Sequence, residues 1–312
     1  MAIYHLVVKT ISRSSGKNAV AASAWRARTT LYDEKLGKTH NYSRYDDLVH
    51  SEMVVPRDTP EGLKDRQTLW NEVERVEKRK DSQLARVIEI AIPTELNLEQ
   101  QIELVREFVQ TSFVDRGMIA DIALIEKDSN PYATIMLTTR VLSRDGFQEK
   151  NKEWNKKELL MSWRKEWAAI QNRKLKEAGF DVRVDHRSHV ERGIVLEPQI
   201  KIGVTAKYLS SRNDFLKSTR GFDRLEEYQR IRKENGDRII EEPIRALKLL
   251  KQKAGVFKRK DLERFAKYHS GDTDQYNQVL NALESCSALQ STGRNNKGED
   301  LFTIQEIEQE MN

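Results

Sequence analysis

Cationic side chains and aromatic rings are interleaved through the first 45 residues of this chain: Arg13, Lys17, Trp25, Arg26, Arg28, Tyr42, Arg44 and Tyr45. Cations that neutralise phosphates, interleaved with flat rings on which bases stack, make a composition suited to single-stranded nucleic acid. The blander alternative is that Trp25 anchors its own helix and the arginines line a solvated face. Other reactive groups are sparse. The six histidines are His5, His40, His50, His186, His189 and His269. His186 and His189 have a ligand-like spacing, yet they lie in a polar stretch with no third ligand nearby and read as a solvated or structural pair. The single cysteine, Cys286, excludes an internal disulfide and a multi-cysteine zinc site.

These residues need elements to position them. Residues 4–10 are apolar and partly β-branched, a strand pattern. Ser12 to Lys17 is turn chemistry, and Asn18 is an N-cap for a helix over 19–31. Helical spacing continues over 63–80, with Leu69, Val73 and Val76 on one face. Strands are predicted over 84–92, 118–125 and 133–142, the last two joined by a turn at Asp128-Ser129-Asn130-Pro131. Between them residues 98–116 form an amphipathic helix with Ile102, Val105, Phe108 and Val109 inward. Residues 157–178 form a long helix whose Trp163 and Trp167 read as core, and 180–184 a last strand. On the fourth strand Thr134, Met136, Thr138 and Arg140 share the more polar face, while Ile135, Leu137 and Val141 should meet the helical layer.

Residues 206–242 are charged, helical in tendency and without a clear apolar face, so they read as a connector. Helix candidates at 244–254, 259–268 and 275–285 precede a hairpin pattern at 288–292 and 301–304, the order of a winged helix. Lys258, Arg259, Lys260, Arg294 and Lys297 could touch phosphates there, or the unit could be a protein-docking module. The expectation is an α+β protein: an antiparallel sheet flanked by helices over 1–205, a connector over 206–242 and a small winged-helix-like domain over 243–312.

The chain has 312 residues, with 54 Lys and Arg against 49 Asp and Glu, so the net charge of +5 permits nucleic-acid binding without establishing it. With 38% hydrophobic and 33% charged residues it is neither fibrous nor disordered. No apolar run reaches the roughly 18–20 residues of a membrane helix, so no membrane insertion is expected. No signal-peptide pattern opens the sequence, and a cytoplasmic location is expected.

Several motifs together resemble one family. They are Met1-Ala2-Ile3-Tyr4-His5, Ser12-Arg13-Ser14-Ser15-Gly16, Ser82-Gln83-Leu84-Ala85-Arg86, Ile92-Pro93, Gly117-Met118-Ile119-Ala120-Asp121, Asn130-Pro131 and Gly193-Ile194-Val195-Leu196-Glu197-Pro198. In order and spacing, over about residues 1–200, the chain resembles the MobA/MobL relaxases, especially the relaxase half of TraA-type relaxase–helicases. The resemblance implies DNA nicking at a transfer origin by a tyrosine hydroxyl, through a covalent phosphotyrosine. It also implies a divalent metal held by three histidines on the scissile phosphate.

The sequence departs from that pattern at every implied catalytic position. Trp25 stands at the nucleophile. Tyr132 and Thr134 replace the hairpin's two histidines, Ile125 the upstream histidine, and Val87 the acidic residue after Arg86. Indole, isoleucine and valine cannot attack phosphorus or ligate a hard cation. The expectation is therefore an inactive relaxase homologue with no catalytic residues, no metal and no cofactor. It would bind single-stranded or hairpin DNA through Arg13, Lys17, Trp25, Arg26, Arg28, Tyr42, Arg44 and Arg140, beside other conjugation or mobilisation proteins. One alternative is an active nickase with a relocated tyrosine: Tyr32, two helical turns beyond Trp25, or Tyr132. The other is an interaction module that binds no DNA.

Overall fold

The computed structural model describes residues 4–128, 130–200, 219–295 and 298–305. It divides into two compact units, residues 1–186 and 187–312. Among the described residues no helix is long and apolar enough to cross a membrane.

The first unit is built on an antiparallel sheet of five strands in the order β1-β5-β7-β6-β4. These are β1 (Leu6–Ser12), β4 (Leu48–Val54), β5 (Gln83–Ala91), β6 (Ala120–Lys127) and β7 (Asn130–Leu137). Ile88 and Ile90 of β5, Ile122 and Leu124 of β6, and Ile135 and Leu137 of β7 point to one side. There they meet α3 (Leu98–Ser112) and α4 (Lys157–Glu177). Trp163 and Trp167 of α4 are buried against Phe113 and Phe108, each pair with ring centres 5.0 Å apart. Such pairs contribute about 0.5–1.5 kcal/mol each beyond burial. The prediction that both tryptophans are core holds.

The other side of the sheet is only partly covered. Val87 and Met136 are sealed by α1 (Ala19–Arg26) and α2 (Arg66–Val76). Asn18 caps α1 by accepting the Ala21 N–H at 2.8 Å, as the sequence indicates. A small hairpin, β2 (Thr30–Asp33) with β3 (Lys38–Asn41), follows α1. A second, β8 (Arg140–Ser143) with β9 (Gly146–Lys150), follows β7.

Four local expectations are corrected. The helix expected over 19–31 ends at Arg26, because Arg28 takes the left-handed conformation (φ +50°). The Thr29 N–H then bonds back to the Ala24 carbonyl at 3.1 Å, a helix-stop geometry in which glycine is the usual residue. Strand β4 went unseen. It is the sheet edge, and its polar residues, His50 to Glu52, hide the alternation of a half-buried strand. The strand expected over 133–142 breaks after Leu137, where the Thr138 hydroxyl accepts the Ile119 N–H at 3.0 Å. The strand expected at 180–184 is absent apart from a bridge at Val182. The Asn172 side chain instead satisfies both backbone groups of Val184, at 2.8 and 2.9 Å.

In the second unit α5 (Thr219–Glu241) is not a connector. The part of the expected connector before residue 219 lies outside the described residues, and the compact-unit boundary falls at 186/187 rather than 205. Ile231, Asn235 and Ile239 of α5 are buried, and Asn235 exchanges two 2.8 Å hydrogen bonds with the backbone of Glu197. Then follow α6 (Pro243–Lys253), β10 (Phe257–Lys258), α7 (Arg259–Tyr268), α8 (Thr273–Glu284), β11 (Leu289–Arg294) and β12 (Asp300–Ile304). The last three strands form one small antiparallel sheet.

Candidate functional site

Beyond the α1–α2 cover the sheet carries buried Ala123, Ile125 and Thr134 and half-buried Glu89 and Tyr132. Sheet register places Ala123 and Glu89 on either side of Thr134, and Ile125 opposite Tyr132. Val87 and Ile125 are fully buried, and Val87 packs in the α1–α2 core, so these two positions contribute packing here.

Arg26, the last residue of α1, reaches over this face. Its Nε donates to the Thr134 hydroxyl at 3.1 Å and its Nη1 to the Ala22 carbonyl at 3.0 Å. Burial pulls this guanidinium below its ordinary pKa, with Glu89, Asp121 and Tyr132 acting against the shift; an arginine remains charged all the same. Lys9 pairs with Glu89 at 2.5 Å. Tyr132 sits in the same field, and burial raises its hydroxyl above the ordinary range. A phenol so shifted is a poorer source of phenolate.

Beside Arg26 lies a layer of rings and guanidinium groups. The Arg28 guanidinium is 4.8 Å from the Trp25 ring centre and 5.1 Å from that of Tyr45. It is held there by two bonds to Asp47, at 2.7 and 2.9 Å, and by a bond to the Trp25 carbonyl. The Asp47 hydrogen bond raises Arg28 above its usual pKa, and Arg28 in turn holds the Asp47 carboxyl below its own. Arg44 lies 5.2 Å from the Tyr45 ring, and Tyr42 stacks on Tyr45 with centres 6.5 Å apart. Trp25 and Tyr45 keep 41% and 40% of their surface exposed, so their outer faces are open. Cation–π contacts hold such a layer without burying it.

The structure thus gathers Trp25, Arg26, Arg28, Tyr42 and Arg44 of the predicted set. It places the other three elsewhere. Arg13 and Lys17 precede α1, whose eight residues span about 12 Å and carry Trp25 at the far end. Arg13 is a packing residue: it pairs with the buried Glu74 at 2.8 Å and donates to the Glu77 carbonyl at 2.8 Å. Arg140 left the polar face when the strand broke. With Lys150 it neutralises buried Glu77, at 2.7 and 2.9 Å. Burial pushes the Glu77 carboxyl up, but these two cations outweigh it and hold it below the usual range.

Tyr32 is not on the helix. It belongs to β2, exposed, with its N–H bonded to Gln67 and its carbonyl to Asn71 of α2. Its expected position two helical turns beyond Trp25 is therefore overturned. His186 and His189 fall in different compact units, and His189 Nδ1 bonds the Leu196 carbonyl at 2.8 Å. Sequence reasoning missed Asp47 and Tyr45's role in clamping Arg28, since both follow the β2–β3 hairpin, which the pattern did not reveal.

The donor set does not fit the divalent metal that the resemblance implies. Ile125 offers no ligand atom, and Thr134 offers a hydroxyl that already accepts from a guanidinium. Among the described residues no three His, Cys, Asp or Glu side chains group to hold a metal ion.

In the second unit the described cations of the hairpin region are paired locally. Lys258 and Lys260 reach Glu299 at 2.5 and 3.5 Å, Arg294 reaches Asp300 at 2.9 Å, and Arg259 reaches Glu284 at 2.8 Å. The Lys258 and Asn295 bonds pull the Glu299 carboxyl down to about 2. Lys297 lies outside the described residues.

Comparison with known proteins adds four findings. A family model described as the MobA/MobL family matches residues 17–212. The probable conjugal transfer protein TraA of Sinorhizobium fredii is 32% identical, the match covering 90% of this chain and 28% of that protein. The mobilization protein MobL of Acidithiobacillus ferridurans is 32% identical over 79% of this chain and 74% of its own length. A solved structure described as "Molecular Basis of Vancomycin Resistance Transfer in Staphylococcus aureus" is 37% identical, with a TM-score of 0.57. It covers 60% of this chain and is itself covered in full. The chain spans little more than a quarter of the length of the conjugal transfer relative.

Proposed function

Because the chain belongs to the MobA/MobL family, we propose that it binds DNA in conjugative mobilisation without cutting it. The DNA is single-stranded or a hairpin. Bases stack on the exposed faces of Trp25 and Tyr45, and the backbone follows Arg26, Arg28 and Arg44. The observation that carries this reading is Arg28 set between the Trp25 and Tyr45 rings and locked by Asp47. The first unit takes the DNA, because among the described residues Arg26 and Arg44 form no ion pair there, whereas the cations around the second unit's hairpin are spent on local carboxylates. The helix–strand–helix–helix–strand–strand order of the second unit supports a winged-helix reading with a protein-facing role.

The loss of cleavage rests on Trp25 at the position of the nucleophile, on a ligand set that offers no metal site, and on a Tyr132 hydroxyl pushed away from ionisation. The test is binding of labelled single-stranded, hairpin and duplex oligonucleotides across a salt series with Mg²⁺ or Mn²⁺, each sample also run on a denaturing gel. The expected result is salt-sensitive binding, with log affinity falling by about 0.7 per phosphate contact for each tenfold rise in salt on single strands. A covalent protein–DNA band, lost in Tyr132→Phe or Tyr32→Phe, would overturn the inactive reading. Absence of binding at low salt would overturn the DNA reading.

A further inference from the structure

We infer that the Arg26 guanidinium is a resident cation over the sheet face beyond α1 and α2, holding a phosphodiester oxygen, so that DNA binding here needs no divalent ion. This rests on the DNA-binding reading above and names the group that receives the backbone.

Three observations point to it. First, Arg26 is fixed. Its Nε is tied to Thr134 and its Nη1 to the Ala22 carbonyl, while its Nη2 makes no hydrogen bond to any described residue. A guanidinium held by two nitrogens with the third open is pre-organised for a charge-assisted bond to a phosphate oxygen.

Second, its charge is not cancelled. Among the described residues no carboxylate forms an ion pair with the half-buried Arg26. The acids whose field it feels are Glu89 and Asp121. Glu89 is taken by Lys9 and Asp121 by Arg66, Ser23 and Trp70. The neighbouring guanidinium of Arg28 is balanced by Asp47. A phosphodiester oxygen balances the charge that these pairings leave on Arg26.

Third, the position excludes the alternative occupant. Thr134 stands where the family resemblance implies a metal-binding imidazole, and its hydroxyl accepts from Arg26. A divalent ion bound there would lie against a fixed like charge, beside a Glu89 carboxylate already paired with Lys9.

The experiment uses the full chain and a labelled single-stranded oligonucleotide, with anisotropy read in EDTA and in Mn²⁺ at matched ionic strength. Mn²⁺ titration followed by electron paramagnetic resonance counts bound metal directly. The affinities should agree within about twofold, the free Mn²⁺ signal should be unchanged by protein, and Arg26→Gln should weaken binding about tenfold and flatten the salt slope by about 0.7. Thr134→Val, which removes only the orienting hydroxyl, should weaken binding less. Should Arg26→Gln fail to fold by thermal melt, Thr134→Val and the EDTA comparison decide.

A requirement for divalent ion, stoichiometric Mn²⁺ uptake, or metal-independent binding indifferent to both substitutions would overturn the inference while leaving DNA binding standing. No binding by the wild-type chain in either buffer would instead overturn the DNA-binding reading, and this inference with it.

Discussion

Asp121 takes the indole N–H of Trp70 at 2.9 Å and the hydroxyl of Ser23 at 2.6 Å on one carboxylate oxygen, while Arg66 pairs with the other at 2.9 Å. One buried carboxylate on β6 thereby holds both helices that cover the sheet, including α1, which carries Trp25 and Arg26. Its removal leaves Arg66 and an indole N–H facing a void. Asp121→Ala should cost about 3 kcal/mol, the low end for breaking a buried pair, because Arg66 retains some solvent. A urea melt should show a lower midpoint with unchanged slope. DNA affinity should fall with it, since α1 loses its anchor.

Arg28 combines a left-handed backbone (φ +50°) with the clamp between Trp25 and Tyr45. Glycine takes that backbone without strain, whereas alanine does not. Arg28→Gly and Arg28→Ala lose the same bonds to Asp47 and to the Trp25 carbonyl, so they differ mainly in backbone cost. The glycine variant should be more stable by about 1 kcal/mol. Both should bind DNA more weakly than the wild type. A stable alanine variant with a less stable glycine one would show that the helix end is not set by this residue's conformation.

The same clamp makes stability depend on acidity. Hydrogen bonding to Arg28 holds the folded Asp47 carboxyl below its ordinary 3.8. A depressed carboxylate stabilises the fold fully above the unfolded pKa, and the gain is lost as pH falls through the folded value. The difference in unfolding free energy between wild type and Asp47→Asn should therefore be flat from about pH 5 to 8 and shrink below about pH 4. Asp47 reaches solvent, so the plateau should stay under about 1 kcal/mol. A difference that grows on acidification would contradict the pairing.

How far the sequence carries these conclusions depends on which force fixed each part. Strands β5, β6 and β7 and helices α3 and α4 were legible because burial dictates an unbroken period in each, as in the alternation around Ile88 and Ile90. Strand β4 was not, because an edge strand keeps polar residues such as Ser51 and Glu52. Helix α5 was read as a connector since the middle of its buried seam is Asn235 between Ile231 and Ile239. The aromatic and cationic residues of the candidate site were legible as a composition. Their division was not: Arg13 and Arg140 are drawn to the buried carboxylates Glu74 and Glu77, which look like ordinary helix-surface acids in the sequence. Asp47, which sets the Arg28 geometry, carries no pattern of its own.

Trp25 should report DNA directly. It is 41% exposed, whereas Trp70, Trp154, Trp163 and Trp167 are all 4% exposed or less. Acrylamide should therefore quench one accessible indole among four protected ones. If bases stack on Trp25, a single-stranded oligonucleotide should quench the same component and shield it from acrylamide. Trp25→Leu should abolish that signal and weaken binding by about 1–3 kcal/mol, the range for loss of one base–aromatic stack. Trp25→Phe should recover part of the affinity, because it restores a ring. Equal affinity in all three proteins, with no change in accessible fluorescence, would mean that Trp25 only anchors the end of α1 and that the bases lie elsewhere.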